Sequence, residues 1–284
     1  MDSAEPVQTT WIGAIRLNVT NIDRAAAFYE AGLGFTVETR EQSRTTLSLG
    51  GEKLQLVQAP SGAAPYPADC AANDPWFQHF AIRVSDMPAA YARVTRQQQT
   101  PISIGGPQQL PPSTGSVIAY KFRDPDGHPL EVSFVPGRPQ GLEGASPFVA
   151  IDHTAVAVAD IGKSIAFWVG LLGFRETGRL LNQGPAQQSL DGLPGAILDI
   201  IVLKPAGGGP HVELLHYRKP IPRSALQFGP EDIPSTRLCI SATPTLKGER
   251  LGSLELDSVV EEGWVLADPD GHLVELANVP TRGA

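Results

Sequence analysis

The sequence predicts an α+β protein built from four βαβββ modules in tandem, and three observations predict it. The first is an internal repeat. Val19-Thr20-Asn21-Ile22 through Gly34-Phe35 recurs as Val158-Ala159-Asp160-Ile161 through Gly173-Phe174, and Asp124-Pro125-Asp126-Gly127-His128 recurs as Asp268-Pro269-Asp270-Gly271-His272, so the chain is a tandem duplication. The second is a strand-like run followed by apolar residues at helical spacing near the start of each copy. The third is a set of short β-prone runs after those helices, such as Thr46-Leu47-Ser48-Leu49, Leu54-Gln55-Leu56-Val57 and Leu198 to Leu203, which give the order strand, helix, then about three strands.

Taken in order, residues 1–10 form a polar, acidic tail and the first module spans 11–60. Its strand is Ile12 to Val19, and Asn21 or Asp23 caps a helix whose face is Ile22, Ala26, Tyr29 and Leu33, stopped by Gly34. The loop Ala59 to Pro75, with four prolines, is either a lid or a crossover to the second module, 76–136. Gly/Pro-rich residues 137–147 read as a linker between two domains, 11–136 and 148–280. The third module, 148–217, repeats the opening device. Asp160 is the cap, Ile161, Ile165, Trp168 and Leu172 the face, and Gly173 the stop. Gly207-Gly208-Gly209 lacks the Lys and Ser/Thr of a phosphate loop and reads as a strand connection. The fourth module, 234–280, is eroded but keeps the hairpin motif and Val274-Glu275-Leu276.

Composition excludes several functions. A chain of 284 residues with 42% hydrophobic and 18% charged residues is long enough for two ordinary domains. A net charge of −8, with neither a basic run nor interleaved aromatics, argues against nucleic acid as partner. No stretch approaches the roughly 18 apolar residues of a membrane span, and the expected location is the cytoplasm. Cys70 and Cys239 have neither metal-ligand spacing nor the density of a disulfide framework.

Two of the six histidines open apolar strands in similar frames: His79 before Phe80-Ala81-Ile82-Arg83-Val84, and His153 before Thr154-Ala155-Val156-Ala157-Val158. Two matching strands carry a glutamate between apolar neighbours, Leu130-Glu131-Val132 and Val212-Glu213-Leu214. Because strand side chains alternate faces, all four residues point away from the apolar stripe. Two imidazoles and two carboxylates without a thiolate suit one divalent ion, Ni, Co, Fe, Mn or Zn, with further positions left to water. His128 and His272 follow Asp-Gly turns and are expected at the surface. His211 shares a face with Glu213 but follows the glycine run as part of a loop, and His216 lies on the opposite face, so neither joins the ligand set. Tyr217-Arg218-Lys219 reads as a solvated charge run, with contact to a substrate anion as its alternative.

The repeated openings, the paired Asp-Pro-Asp-Gly-His hairpins and the glutamate strands make the chain resemble the vicinal oxygen chelate (VOC) superfamily, which includes glyoxalase I, methylmalonyl-CoA epimerase, fosfomycin-resistance proteins and extradiol dioxygenases. The resemblance covers residues 11–136 and 149–280. It implies two VOC domains whose modules pair into cup-shaped mixed sheets flanked by helices, with a metal held by the first and last strands of each contributing module. The positions equivalent to ligands are then Ala14 and Gln55 in module one, His79 and Glu131 in module two, His153 and Glu213 in module three, and Arg237 and Glu275 in module four. Pairing modules within each domain would damage both sites. Pairing two with three and one with four leaves one complete site and one degenerate one, the arrangement expected here.

Arg237 cannot ligate a metal near neutral pH; it is expected to pair with Glu275 or to hold an anionic group of a substrate or effector. For the complete site, the resemblance implies glyoxalase I-like isomerase, epimerase or lyase chemistry, with Glu131 and Glu213 as candidate bases and an enediolate stabilised by the metal. The alternative is an Fe(II) extradiol dioxygenase using His79, His153 and Glu131 as a facial triad. A second alternative is a metal-free small-molecule binding or resistance protein. The partner in each case is a small molecule whose contacts the sequence does not identify. A monomer is expected, with a homodimer as the alternative, because one chain already supplies both halves of each cup.

Overall fold

The computed structural model describes residues 8–137, 146–223, 226–243, 258–260 and 263–277. The first module contains β1 (Gln8–Val19), α1 (Ile22–Leu33), β2 (Thr36–Arg40), β3 (Arg44–Leu49) and β4 (Glu52–Gln58). The second contains β5 (Gln78–Val84), α2 (Met87–Val94), the short β6 (Thr100–Pro101) and β7 (Gln108–Gln109), then β8 (Ile118–Arg123) and β9 (Pro129–Phe134). The third contains β10 (Phe148–Ala157), α3 (Ile161–Ile165) continued by a π-helical stretch over Ala166–Leu171, β11 (Arg175–Gln183), α4 (Pro185–Asp191), β12 (Ile197–Lys204) and β13 (His211–Lys219). The fourth contains β14 (Arg237–Thr243), β15 (Ser258–Val260), β16 (Gly263–Ala267) and β17 (Leu273–Ala277). The helix expected in the fourth module and most of the 137–147 linker fall outside the described residues. β1 begins at Gln8, within the stretch read from sequence as a tail.

The helix openings follow their local chemistry. The Asn21 side chain accepts the Arg24 amide, and Gly34 closes α1 at φ 73°, a conformation that an L side chain adopts at a cost. Asp160 caps α3 by accepting the Lys163 amide. The apolar faces then bury Tyr29, Leu33, Trp168 and Leu172 at no more than 1% exposure, and full burial of such side chains contributes roughly 1.5–3 kcal/mol each.

The strands form two mixed sheets, and each sheet takes one module from each half of the chain. One runs β15-β16-β17-β14-β1-β4-β3-β2, and the other β11-β12-β13-β10-β5-β9-β8-β6 with β7 beside β8. The joins are antiparallel, β1 against β14 and β5 against β10. Modules one and four therefore share a sheet, as do two and three. The apolar stripes of both sheets meet the helices in one core that includes Leu17, Leu56, Ile82, Val132, Val156 and Leu214. Tyr29 of α1 reaches across to Phe80 of β5, ring centroids 6.3 Å apart. Among the described residues no helix is long and apolar enough to cross a membrane.

The Asp-Pro-Asp-Gly-His hairpins lock the modules within each half. Asp124 accepts the amides of Asp126 and His128 at 2.9 and 2.8 Å, and its other oxygen accepts the Tyr29 hydroxyl at 2.8 Å. The copy is equivalent: Asp268 accepts the amides of Asp270 and His272 at 2.9 Å each, and the Trp168 indole at 3.4 Å. The two histidines expected at the surface are instead buried, His128 at 1% and His272 at 6% exposure. Each imidazole Nε2 lies 2.9 Å from a backbone carbonyl of the module's neighbour, Asn18 for His128 and Ala157 for His272. A buried imidazole satisfied by a carbonyl is stable inside the protein, and turn chemistry alone does not reveal that the turn packs inward. The 59–75 loop is a crossover stapled in place: Ala64 donates to Asp232 at 2.7 Å, and Arg223 grips buried Asp74 at 2.8 and 2.6 Å.

Candidate functional site

The inner face of the β11–β6 sheet carries the four residues picked out as ligands. Strand alternation sends Phe80, Ile82, Leu130, Val132, Val212 and Leu214 into the core, and so turns His79, Glu131 and Glu213 the other way. On β10 an irregularity between Ile151 and His153 adjusts the register against β5, placing His153 opposite Ala81. Suitable donor atoms of His79, Glu131 and His153 all lie within 4.8 Å of one another. Glu213 stands beside this cluster, with Oε2 3.8 Å from His153 Nε2. His79 Nε2 is 3.6 Å from Glu131 Oε2, and the two imidazole rings lie 5.8 Å apart. All four border a cavity of about 140 Å³.

The environment polarises these groups. Burial, with Lys121 and His153 close by, holds His79 well below the ordinary histidine range, so it is neutral and able to ligate; neither ring nitrogen has a hydrogen-bond partner. Burial also opposes a charged His153, but Glu213, the Asp152 carboxylate 3.2 Å from Nδ1, and Glu131 outweigh it and push His153 up to about 9. Glu213 is the converse case: burial would raise it, yet His153 and His211 hold it at about 2. Glu131 is raised by burial, against the pull of Lys121 and His153.

Several residues of the site were not recognised from sequence. His211 is the first residue of β13 and pairs in register with His153, contrary to its reading as part of a loop. Its Nε2 lies 3.3 Å from Glu213 Oε1. The signal was its two-residue offset from Glu213; the strand simply starts earlier than the glycines suggested. Lys121 on β8 is paired in register with Glu131 and is 4% exposed, with Nζ 3.8 Å from Glu131 and 2.7 Å from Asp191. Extending the Asp124–His128 hairpin symmetrically about its turn would have revealed that pairing.

Asp191 comes from α4 and is central to a buried network. It accepts from Lys121, from Gln187 at 2.7 Å and from Tyr217 at 3.0 Å, and Gln187 in turn accepts from Asn182 at 3.0 Å. Its placement is set by module two: Ile104 donates to Ser189 at 2.8 Å and Ser103 to Leu190 at 2.9 Å. Gly192, at φ 60°, brings the turn so near Ile102 that a Cβ would sit 2.5 Å from the Ile102 carbonyl oxygen. Tyr217 is thus buried behind the cup, in the network around Asp191, while Arg218 beside it is paired outside with Asp199 at 2.6 and 2.7 Å.

The other sheet brings Ala14, Gln55, Arg237 and Glu275 near one another around an unforeseen residue, Arg16. Arg16 donates to Gln55 at 3.0 Å and to both oxygens of Glu275, and Arg237 Nη1 lies 3.5 Å from Glu275. Arg237 here stands where His79 stands in the first cup, and Arg16 opposite it takes the place of Ala155.

Duplicated βαβββ modules that build two mixed-sheet cups, one of them lined by imidazoles and carboxylates, define a metal-capable VOC fold. The chain belongs to the Glyoxalase/Bleomycin resistance protein/Dioxygenase superfamily, whose family model matches residues 11–132 and 150–237. Glyoxalase I from Zea mays has a similar fold, at 16% identity, a TM-score of 0.59, and coverage of 94% of this chain and 92% of that one. A candidate dioxygenase from Bacillus subtilis is similar at 15% identity and a TM-score of 0.60, with 95% of this chain and 85% of that one covered. The virulence protein STM3117 of Salmonella typhimurium is 32% identical over 123 residues, 41% of this chain and 78% of that protein.

Proposed function

We propose that the protein is a metal-dependent enzyme of this superfamily, with glyoxalase I-like isomerase, epimerase or lyase chemistry on a small oxygenated substrate. The observation that carries this reading is the convergence of His79, Glu131 and His153 within 4.8 Å, with Glu213 alongside. A buried neutral imidazole with both nitrogens unpartnered, a second imidazole, the buried Glu131 and the partly buried Glu213 fit a divalent ion of borderline hardness. His79, Glu131, His153 and Glu213 would hold it. When bound, the ion would polarise adjacent substrate oxygens as a Lewis acid.

The chain's own residues divide the remaining work. Glu131 and Glu213 are the candidate bases for removal of a carbon-bound proton; burial raises Glu131 and makes it the stronger base, while Glu213 is held ionised. His211 and His153 orient its two oxygens. Lys121, held by Asp191, keeps positive charge beside Glu131, which favours negative charge developing on a substrate oxygen nearby. Leu110, Leu198 and Ile200 line the cavity and limit water there. Both walls of the cup come from one chain, which supports a monomer as the working unit.

One observation favours a second reading. Of the four candidate ligands, the three whose donor atoms lie within 4.8 Å of one another are two histidines and one carboxylate, the ligand set of Fe(II) oxygenases. Elemental analysis of chain purified without chelator tests the shared claim. About one divalent metal per chain, lost in His79→Ala and His153→Ala but kept in Glu275→Ala, is expected; a metal-free chain after reconstitution would point to a binding protein instead. Assays with 2-oxoaldehydes and with catechols then separate the two chemistries, since ring cleavage consumes dioxygen and isomerisation does not.

A further inference from the structure

We propose that Asn182 contacts the substrate in the first cup, its Oδ1 accepting the hydroxyl proton of a small hydroxy-carbonyl compound, a role that rests on the first cup being the active site. Asn182 stands on β11, is 5% exposed, and lines the same cavity as His79, Glu131, His153 and Glu213. Its Nδ2 donates to Gln187 at 3.0 Å. Its Oδ1 is buried and has no hydrogen-bond partner.

Which amide atom is left over is decided by a chain of hydrogen bonds that starts at Asp191. In its ion pair with Lys121 at 2.7 Å this carboxylate only accepts, so the Gln187 atom 2.7 Å from it must be the Nε2 donor. Gln187 Oε1 is then turned toward Asn182 and takes its Nδ2. Turning the Asn182 amide over would set two carbonyl oxygens against each other. Turning Gln187 as well would set its oxygen against the Asp191 carboxylate. Asn182 therefore keeps its donor engaged and offers the cup an acceptor.

A buried acceptor without a donor is a deficit that native structures rarely leave open. The side chains beside it on the strands are apolar: Asn182 pairs with Leu198, and the next pair on the same face is Leu180 with Ile200, all of them lining the cavity. Leu190 of α4 lines it too. An apolar wall around one fixed acceptor selects a molecule that brings its own O–H and rejects an analogue in which that hydrogen is replaced. Removal of a carbon-bound proton to give an enediolate needs a carbonyl on the neighbouring carbon, so carbonyl and donor together define a hydroxy-carbonyl substrate.

The probes are hydroxyacetone and methoxyacetone, which share both oxygens and differ in the hydroxyl proton. Each is titrated by calorimetry into the full chain, once stripped with chelator and once reconstituted with zinc, whose uptake is measured separately. In both states hydroxyacetone should bind about tenfold or more tightly, the worth of one hydrogen bond to an otherwise unpaired buried group. That preference should shrink to about twofold or less in Asn182→Leu, and also in Gln187→Met, where the freed Asn182 amide can turn its Nδ2 to the ether oxygen. Glu275→Ala, in the other cup, should keep it. Equal binding of the two probes by wild type, or a preference that neither variant reduces, would overturn the assignment, as would the lack of saturable hydroxyacetone binding. A variant that merely loosened the cup would weaken both probes and leave their ratio alone. Circular dichroism identifies a variant that has not folded, and the other then carries the test. A chain that takes up no zinc would count against the proposed reaction, while the ratio in the stripped chain still decides the role of Asn182.

Discussion

Replacing Asp191 with Asn should reveal how far the first cup depends on the module-three insertion that crosses it. The carboxylate is fully buried, accepts hydrogen bonds from Lys121, Gln187 and Tyr217, and faces Lys121 across 2.7 Å with only 4% of the lysine side chain exposed. Breaking a buried pair by removing one charge costs about 3–5 kcal/mol; the amide retains one acceptor, so about 3 kcal/mol is expected for Asp191→Asn. Lys121 also has Glu131 at 3.8 Å. Without Asp191 it should turn to Glu131 and compete with a metal for that carboxylate, weakening metal binding about tenfold or more, as is usual when a residue that holds a metal ligand's neighbour is lost. Urea denaturation of the metal-free chain measures the first effect, and competition with a chromogenic chelator the second. Lys121→Met in the Asp191→Leu background, which removes both charges, should recover much of the stability. A single Asp191→Asn variant within about 1 kcal/mol of wild type, with unchanged metal affinity, would refute the reasoning.

Three further outcomes follow from the same geometry. In metal-free protein the His153 pKa is raised from 6.5 to about 9, so its stabilisation is complete below pH 6.5 and is lost as pH rises through about 9. The loss is at most about 3 kcal/mol, and denaturation midpoints between pH 6 and 10 should fall more in wild type than in His153→Gln; parallel curves would contradict it. His211→Gln should lower metal affinity about 10–100-fold without abolishing binding, because His211 orients Glu213 from 3.3 Å, as a chelator competition would show. Tyr29→Phe should cost about 1–2 kcal/mol in urea unfolding by leaving buried Asp124 short of a donor it now holds at 2.8 Å; an unchanged midpoint would remove the hairpin lock from the account.

Much of this protein was written in local pattern. The repeat, the Asn21 and Asp160 caps, the Gly34 and Gly173 stops and the alternation that turns His79, Glu131 and Glu213 away from the core depend on residues close in sequence, and local rules reach that far. The candidate ligands were legible because a histidine or glutamate set in an apolar strand breaks a regular pattern. Lys121 and Arg16 were not, since a single basic residue in a strand looks like ordinary surface until its cross-strand partner is known. His128 and His272 show the same limit: the turn is local, but the carbonyls that bury them are 110 and 115 residues away. Asp191 reaches Lys121 across 70 positions only because Gly192 and Ser103 seat α4 on the neighbouring module. The sequence by itself determined the modules, their caps and the kinds of donor each could offer. Tertiary structure decided which modules share a sheet, which charges meet in each cup, and which histidines are buried, because those depend on strand register and packing between residues that no local period connects.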